Sequence, residues 1–151
     1  MSTTGTTLRT ACHVVIHFGL ADPDHPHYAM PDGRLTPLAA IHLAATGHTS
    51  TSQPLPDPFH TDPDQAKQLM RDTPTTWDAI RWAAAVTPTT PDPDTATGLP
   101  DLIDHLDTWA ATPDPFTGRR PNTSDVIALL ARAAHAADTL THTLPTQRAA
   151  A

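Results

Sequence analysis

The sequence predicts a mainly α fold: one small helical domain of five or six helices, with room for a short β-hairpin near 28–35. Three observations predict it. Proline stands just inside the start of candidate helices and glycine or proline closes them, as in "TPLAAIHLAATG" at 36–47 and "DPDQAKQLMRD" at 62–72. Apolar residues recur at three- and four-residue spacings. A chain of 151 residues fits one domain.

Each element has its own start and stop. Residues 8–18, "LRTACHVVIHF", set Leu8, Cys12, Val15 and Phe18 on one stripe, with Gly19 as the stop, although Val14-Val15-Ile16 would also suit a strand. Three prolines in 20–36 exclude a helix, and Pro31-Asp32-Gly33 reads as the turn of a hairpin from Tyr28 to Leu35. Thr36 caps and Pro37 opens a helix over 37–46; Asp62 caps and Pro63 opens the next, which Pro74 ends. In "TTWDAIRWAAAV" at 75–86, Thr75 and Asp78 are spaced as a capping box, and Trp77, Ile80 and Ala84 share a face. A helix over 100–111 carries Leu102, Leu106 and Trp109 on one side. The last helix starts at Asn122–Ser124, with Asp125 at its positive end, and runs to Pro145. Its Val126, Leu130, Ala133, Ala137, Leu140 and Leu144 form a 4-3-4-3-4 seam. Docking inside the bundle is the favoured use of that seam; a protein partner or a homodimer through the 126–144 helix is the other. The ends, 1–7 and 145–151, read as disordered around a domain at 8–144, with mobile loops at 48–60, 87–98 and 112–122.

Composition narrows function. The sixteen acidic residues are all Asp, against eight Arg and the single Lys67, giving a net charge of −7. That balance argues against nucleic-acid binding, which needs a basic stripe. No run of 18 apolar residues exists, which argues against a membrane span. The N-terminus does not read as a secretory signal, and Cys12 is the only cysteine, so a reduced, cytoplasmic setting is expected. Leu, Ile, Val and Phe number only 26 of 151, so Ala must do much of the packing. The Thr, Pro, His and Asp excess, with no Glu and one Lys, fits a C-rich coding strand. Clusters of His or Asp therefore carry less weight than usual.

Two constellations bear on chemistry. His13, His17, Asp22, His25 and His27 form a metal-like set for Zn²⁺ or another divalent transition metal, since residues four apart share a helix face. The metalloprotease pattern needs a Glu between the His pair, and Val14 follows His13 here. Bystander imidazoles and no cofactor are the favoured reading. Trp77, Trp82 and Trp109 read chiefly as core, with a shallow groove between the 77–86 and 100–111 helices as the recognition surface. Cys12, on the apolar stripe, reads as a small buried thiol. "DPDHP" and "PDPDT" lack the Gly and Glu of a calcium loop. Pro-Asp-Pro-Phe occurs at 56–59 and again at 113–116. Because Pro-Asp pairs are common here, it reads as coincidence, with Phe59 and Phe116 each tucking a loop end onto the core.

The order of an N-terminal helix ending in Gly19, then "DGRLTPLAAIHLAATG", Trp109 and "TSDVIALLARAAHAA" resembles a family of small uncharacterised actinobacterial proteins, over about residues 8–140. Members often carry a Cys near the start of the second helix and Asn-Asp after the Trp, where this chain has Thr36–Leu38 and Ala110-Ala111. The resemblance implies a small helical cytoplasmic domain and transfers no activity. The expected function is a non-catalytic accessory or interaction protein. The alternatives are a metal-binding protein using the His cluster and a small-molecule binder using the Trp-lined groove.

Overall fold

The structure is a computed structural model that describes residues 3–47, 55–89, 98 and 100–150, with side chains described to residue 140. The expected mobile loops at 48–60 and 87–98 fall largely outside the described residues. Seven helices appear among those described: α1 (Thr3–Phe18), α2 (Pro37–Thr46), α3 (Pro58–Thr61), α4 (Pro63–Asp72), α5 (Pro74–Ala85), α6 (Leu102–Ala111) and α7 (Thr123–Ala150). The mainly α expectation holds. The seventh helix is α3, a single turn within a stretch that reads as loop.

Helix starts follow the cap grammar with two corrections, at α5 and at α6, which opens at Leu102 rather than 100. Thr36 Oγ1 accepts from Ala39 N–H at 3.2 Å, Asp62 Oδ1 from Gln65 N–H at 3.2 Å and Asp101 Oδ1 from Asp104 N–H at 3.0 Å. Asn122 and Asp125 cap α7 reciprocally, each side chain accepting from the other's N–H at 2.9–3.0 Å. The Thr75–Asp78 capping box does not form. α5 opens one residue earlier at Pro74, whose fixed φ already suits a first helical position. Asp78 instead lies 3.5 Å from Arg81.

α1 begins at Thr3, and Gly5 and Thr7 are buried, so packing holds its first turns. Its buried stripe is Leu8, Ala11, Val14 and Val15, and Cys12 falls on the flank, half-buried. α7 continues past Pro145 to Ala150.

α2 is the hub. It is buried from Pro37 to Leu43, and it packs on α1, α5 and α6. A helix apolar on every side must be enclosed. α1 and α7 make the most extensive helix pair, closed by the Arg9–Asp138 ion pair. Of the α7 seam, Val126, Leu130, Ala133 and Ala137 are buried in the bundle, and Leu140 is 46% exposed. Leu144 lies outside the described side chains. Alanine is the most frequent member of the buried set among the described residues, which lets these backbones approach closely.

The expected hairpin is reduced to isolated bridges. Leu35 bridges both Leu20 and Ala29, with Met30 N–H donating to Arg34 O at 2.9 Å across the turn. Gly19 takes φ +86° to turn out of α1, and a Cβ there would sit 3.2 Å from Arg34 Cγ. The 20–36 segment then lies across α3 and α6: Ala29 N–H donates to Phe59 O at 3.0 Å, and Tyr28 Oη donates to Asp107 Oδ2 at 3.0 Å.

Candidate functional site

Helical period gives α6 three faces. Ile103 and Leu106 are buried in the core. His105, Trp109 and Thr112, four and three residues apart, line a cavity of about 590 Å³ with the 113–121 segment and the start of α7. Asp107, Ala110 and Ala111 line a second cavity of about 430 Å³ on the other flank, facing the 20–28 segment and α4. Thr108 borders both.

The wall opposite Trp109 is a self-closed turn. Asp114 Oδ1 accepts from Phe116 N–H at 2.7 Å and from Thr117 N–H at 3.1 Å, and Gly118 N–H donates to Asp114 O at 2.8 Å. Asp114 N–H donates to Arg119 O at 2.8 Å, and Gly118 sits at φ +70°, a value that favours glycine. Pro113, Pro115 and Pro121 supply flat apolar walls.

Arg119 and Arg132 also line the cavity, and neither guanidinium makes an ion pair with a carboxylate among the described residues. Asp114 and Asp125 border it, and one oxygen of each already accepts backbone N–H groups. His105 is buried, and its Nε2 lies 2.6 Å from Thr87 Oγ1. The Thr87 hydroxyl faces two carbonyls that can only accept, at 2.7 Å and 3.1 Å, so the imidazole donates through Nε2.

Of the three tryptophans, Trp109 lines this cavity. Trp77 and Trp82 pack partly buried against the core from α5 and line neither cavity. The adjacent Arg119 and Arg120 divide: Arg119 faces the cavity, and Arg120 pairs with Asp24 at 2.9 Å.

The His cluster separates. Among the described residues, no group of three or more His, Cys, Asp or Glu is placed to hold a metal ion. His13 and His17 share one exposed face of α1, because each stands two residues from buried Val15, about 200° around the helix. Asp22 Oδ1 accepts from Asp24 N–H at 2.9 Å, closing a turn. His25 and His27 go elsewhere. They line the second cavity with rings edge-on, centroids 5.7 Å apart. His25 Nε2 and His27 Nδ1 are buried with no hydrogen-bond partner. Asp107 and Lys67 join them. Neither stands out in the sequence, because Asp107 is one of sixteen Asp and Lys67 sits within an ordinary amphipathic helix.

Cys12 is a half-buried thiol, with Sγ 3.7 Å from Ile127 O. Burial pushes its pKa up, against a smaller pull from its backbone hydrogen bond and Arg9. Compared with protein-family models, curated proteins and solved structures, the chain matches none.

Proposed function

We propose that this chain is an accessory binding protein that holds a small planar aromatic carboxylate in the Trp109 cavity. The carrying observation is the pairing, in one cavity of about 590 Å³, of Trp109 with two guanidiniums that form no ion pair among the described residues, although Asp114 and Asp125 share the lining. That volume lies within the range of small-molecule sites. An indole face and proline rings favour a flat apolar body, and a guanidinium fork matches a carboxylate bidentately.

Calorimetric titration with benzoate, salicylate and 2-naphthoate tests it. At least one should bind with Kd below about 1 mM, and Trp109→Ala and Arg132→Ala should each weaken it about tenfold or more. Silence across the three acids at about 5 mM, or unchanged affinity in both variants, would refute the assignment.

Phe116 favours a second reading, in which a protein partner covers the cavity rim. Its side chain is 96% exposed on the self-closed 114–119 turn, between two cavity-lining residues, Pro115 and Thr117. A pre-ordered aromatic costs little entropy to bury, which suits an anchor. If the partner is a second copy, sedimentation should show association that Phe116→Asp abolishes; equal monomeric behaviour removes that form of the reading.

A further inference from the structure

We propose that the second cavity, between the 20–28 segment, α4 and α6, is a separate binding site for a small molecule that carries a carboxylate and an amine or hydroxyl, an amino or hydroxy acid. The site is independent of the Trp109 cavity, which lies across α6.

The cavity, of about 430 Å³, brings four kinds of polar group together: the imidazoles of His25 and His27, the Tyr28 hydroxyl, the Asp107 carboxylate and the Lys67 ammonium. The Tyr28–Asp107 hydrogen bond taken alone would only tie the 20–36 segment to α6. A tying role does not explain Asp107 and Lys67, which share the cavity with no ion pair between them among the described residues. A carboxylate and an ammonium set on the walls of one cavity point to an occupant with complementary groups. His25 Nε2 and His27 Nδ1 are occluded as well as unpartnered, so a guest would meet the two imidazole rings rather than these two atoms.

The charges set the class of that occupant. Lys67 on one wall suits a carboxylate. Asp107 on α6 has one oxygen taken by Tyr28, which leaves the other for an ammonium or hydroxyl hydrogen. Burial pushes Asp107 up to about 6, against the Tyr28 hydroxyl and the Lys67 ammonium, while Asp104 and Asp101 add to the rise. Burial, then the Asp107 charge, also raises the Tyr28 phenol well above its ordinary value, so it stays a hydrogen donor. A carboxylate held at such a cost to its charged form is what a cationic or hydroxylic guest would relieve.

The test is titration of the full chain with the twenty amino acids, lactate and malate, read by calorimetry and by imidazole ¹⁵N spectra. At least one compound should bind with Kd below about 1 mM and move the imidazole resonances of His25 and His27. Asp107→Asn and Lys67→Met should each weaken that binding about tenfold, while Trp109→Ala should alter it less than about twofold. Lys67 is only partly buried on α4, so its variant serves if Asp107→Asn fails to fold. Absence of saturable binding at about 10 mM, or affinity untouched by Lys67→Met, would overturn the proposal.

Discussion

Asp107 sits where burial opposes its charge, and that opposition has a pH signature. Its folded pKa, about 6, lies above the ordinary carboxylate value near 3.8. Between those values the folded chain holds a proton that the unfolded chain has released. Stability therefore falls as pH rises through this window and levels off above it, by about 2–3 kcal/mol in all. Asn at the position has no charge to bury. Urea unfolding at pH 4 and pH 7 should show Asp107→Asn gaining about 2–3 kcal/mol on the parent between the two. An equal difference at both pH values would mean that Asp107 is not held above its ordinary range. The single thiol makes a simpler case. Cys12 is half-buried with a raised pKa, so it should react with a disulfide reagent at pH 8 more slowly than free cysteine.

At the scale of the element, helix starts were the most legible feature of the sequence, because a cap is a local event. Thr36, Asp62 and Asn122 each accept an N–H of their own helix, as their spacing implies, and Asp101, not singled out in the sequence, does the same for α6. Thr75 misled because Pro74 also satisfies the start grammar, and α5 uses the proline. Thr36→Ala should cost about 1 kcal/mol through α2, whereas Thr75→Ala should change stability by less than about 0.5 kcal/mol, both read from urea midpoints. Faces were harder to read than starts. The α1 stripe is Leu8, Ala11, Val14 and Val15, so Cys12 falls on the flank and His13 and His17 face outward. In an alanine-rich chain the small residues blur which side is apolar. α6 shows what periodicity cannot supply: its core face was legible from Leu106, but both flanking faces become cavity walls only once the 20–28 and 113–121 segments lie against them.

At the scale of the molecule, two identical tetrapeptides meet opposite fates. Phe59 is fully buried, stacked on His42 at 4.8 Å and edge-on to Tyr28 at 6.1 Å. Phe116, expected to tuck inward likewise, is 96% exposed. The residues downstream of each copy make the difference. At 56–59 the chain enters α3 and then α4, which bring Phe59 onto α2; at 113–116 the Asp114 turn reverses the chain before α7 and leaves the ring outside. Phe59→Ala should cost about 3–5 kcal/mol and Phe116→Ala less than about 0.5 kcal/mol. The fold class was legible because proline and glycine punctuate it. The candidate sites were legible only in fragments, Trp109 in one and His25 with His27 in the other. Their partners Arg132, Tyr28, Lys67 and Asp107 come from distant segments that only packing brings together. Among the described residues no helix is long and apolar enough to cross a membrane.

The ring of Trp109 offers the most direct reading of the proposed ligand site. Its indole N–H, tracked by ¹H–¹⁵N correlation as 2-naphthoate is added, should shift saturably together with the Arg132 signals, while those of Trp77 and Trp82 stay in place. Three indoles that all hold still, or that drift together without saturating, would contradict a carboxylate site at α6.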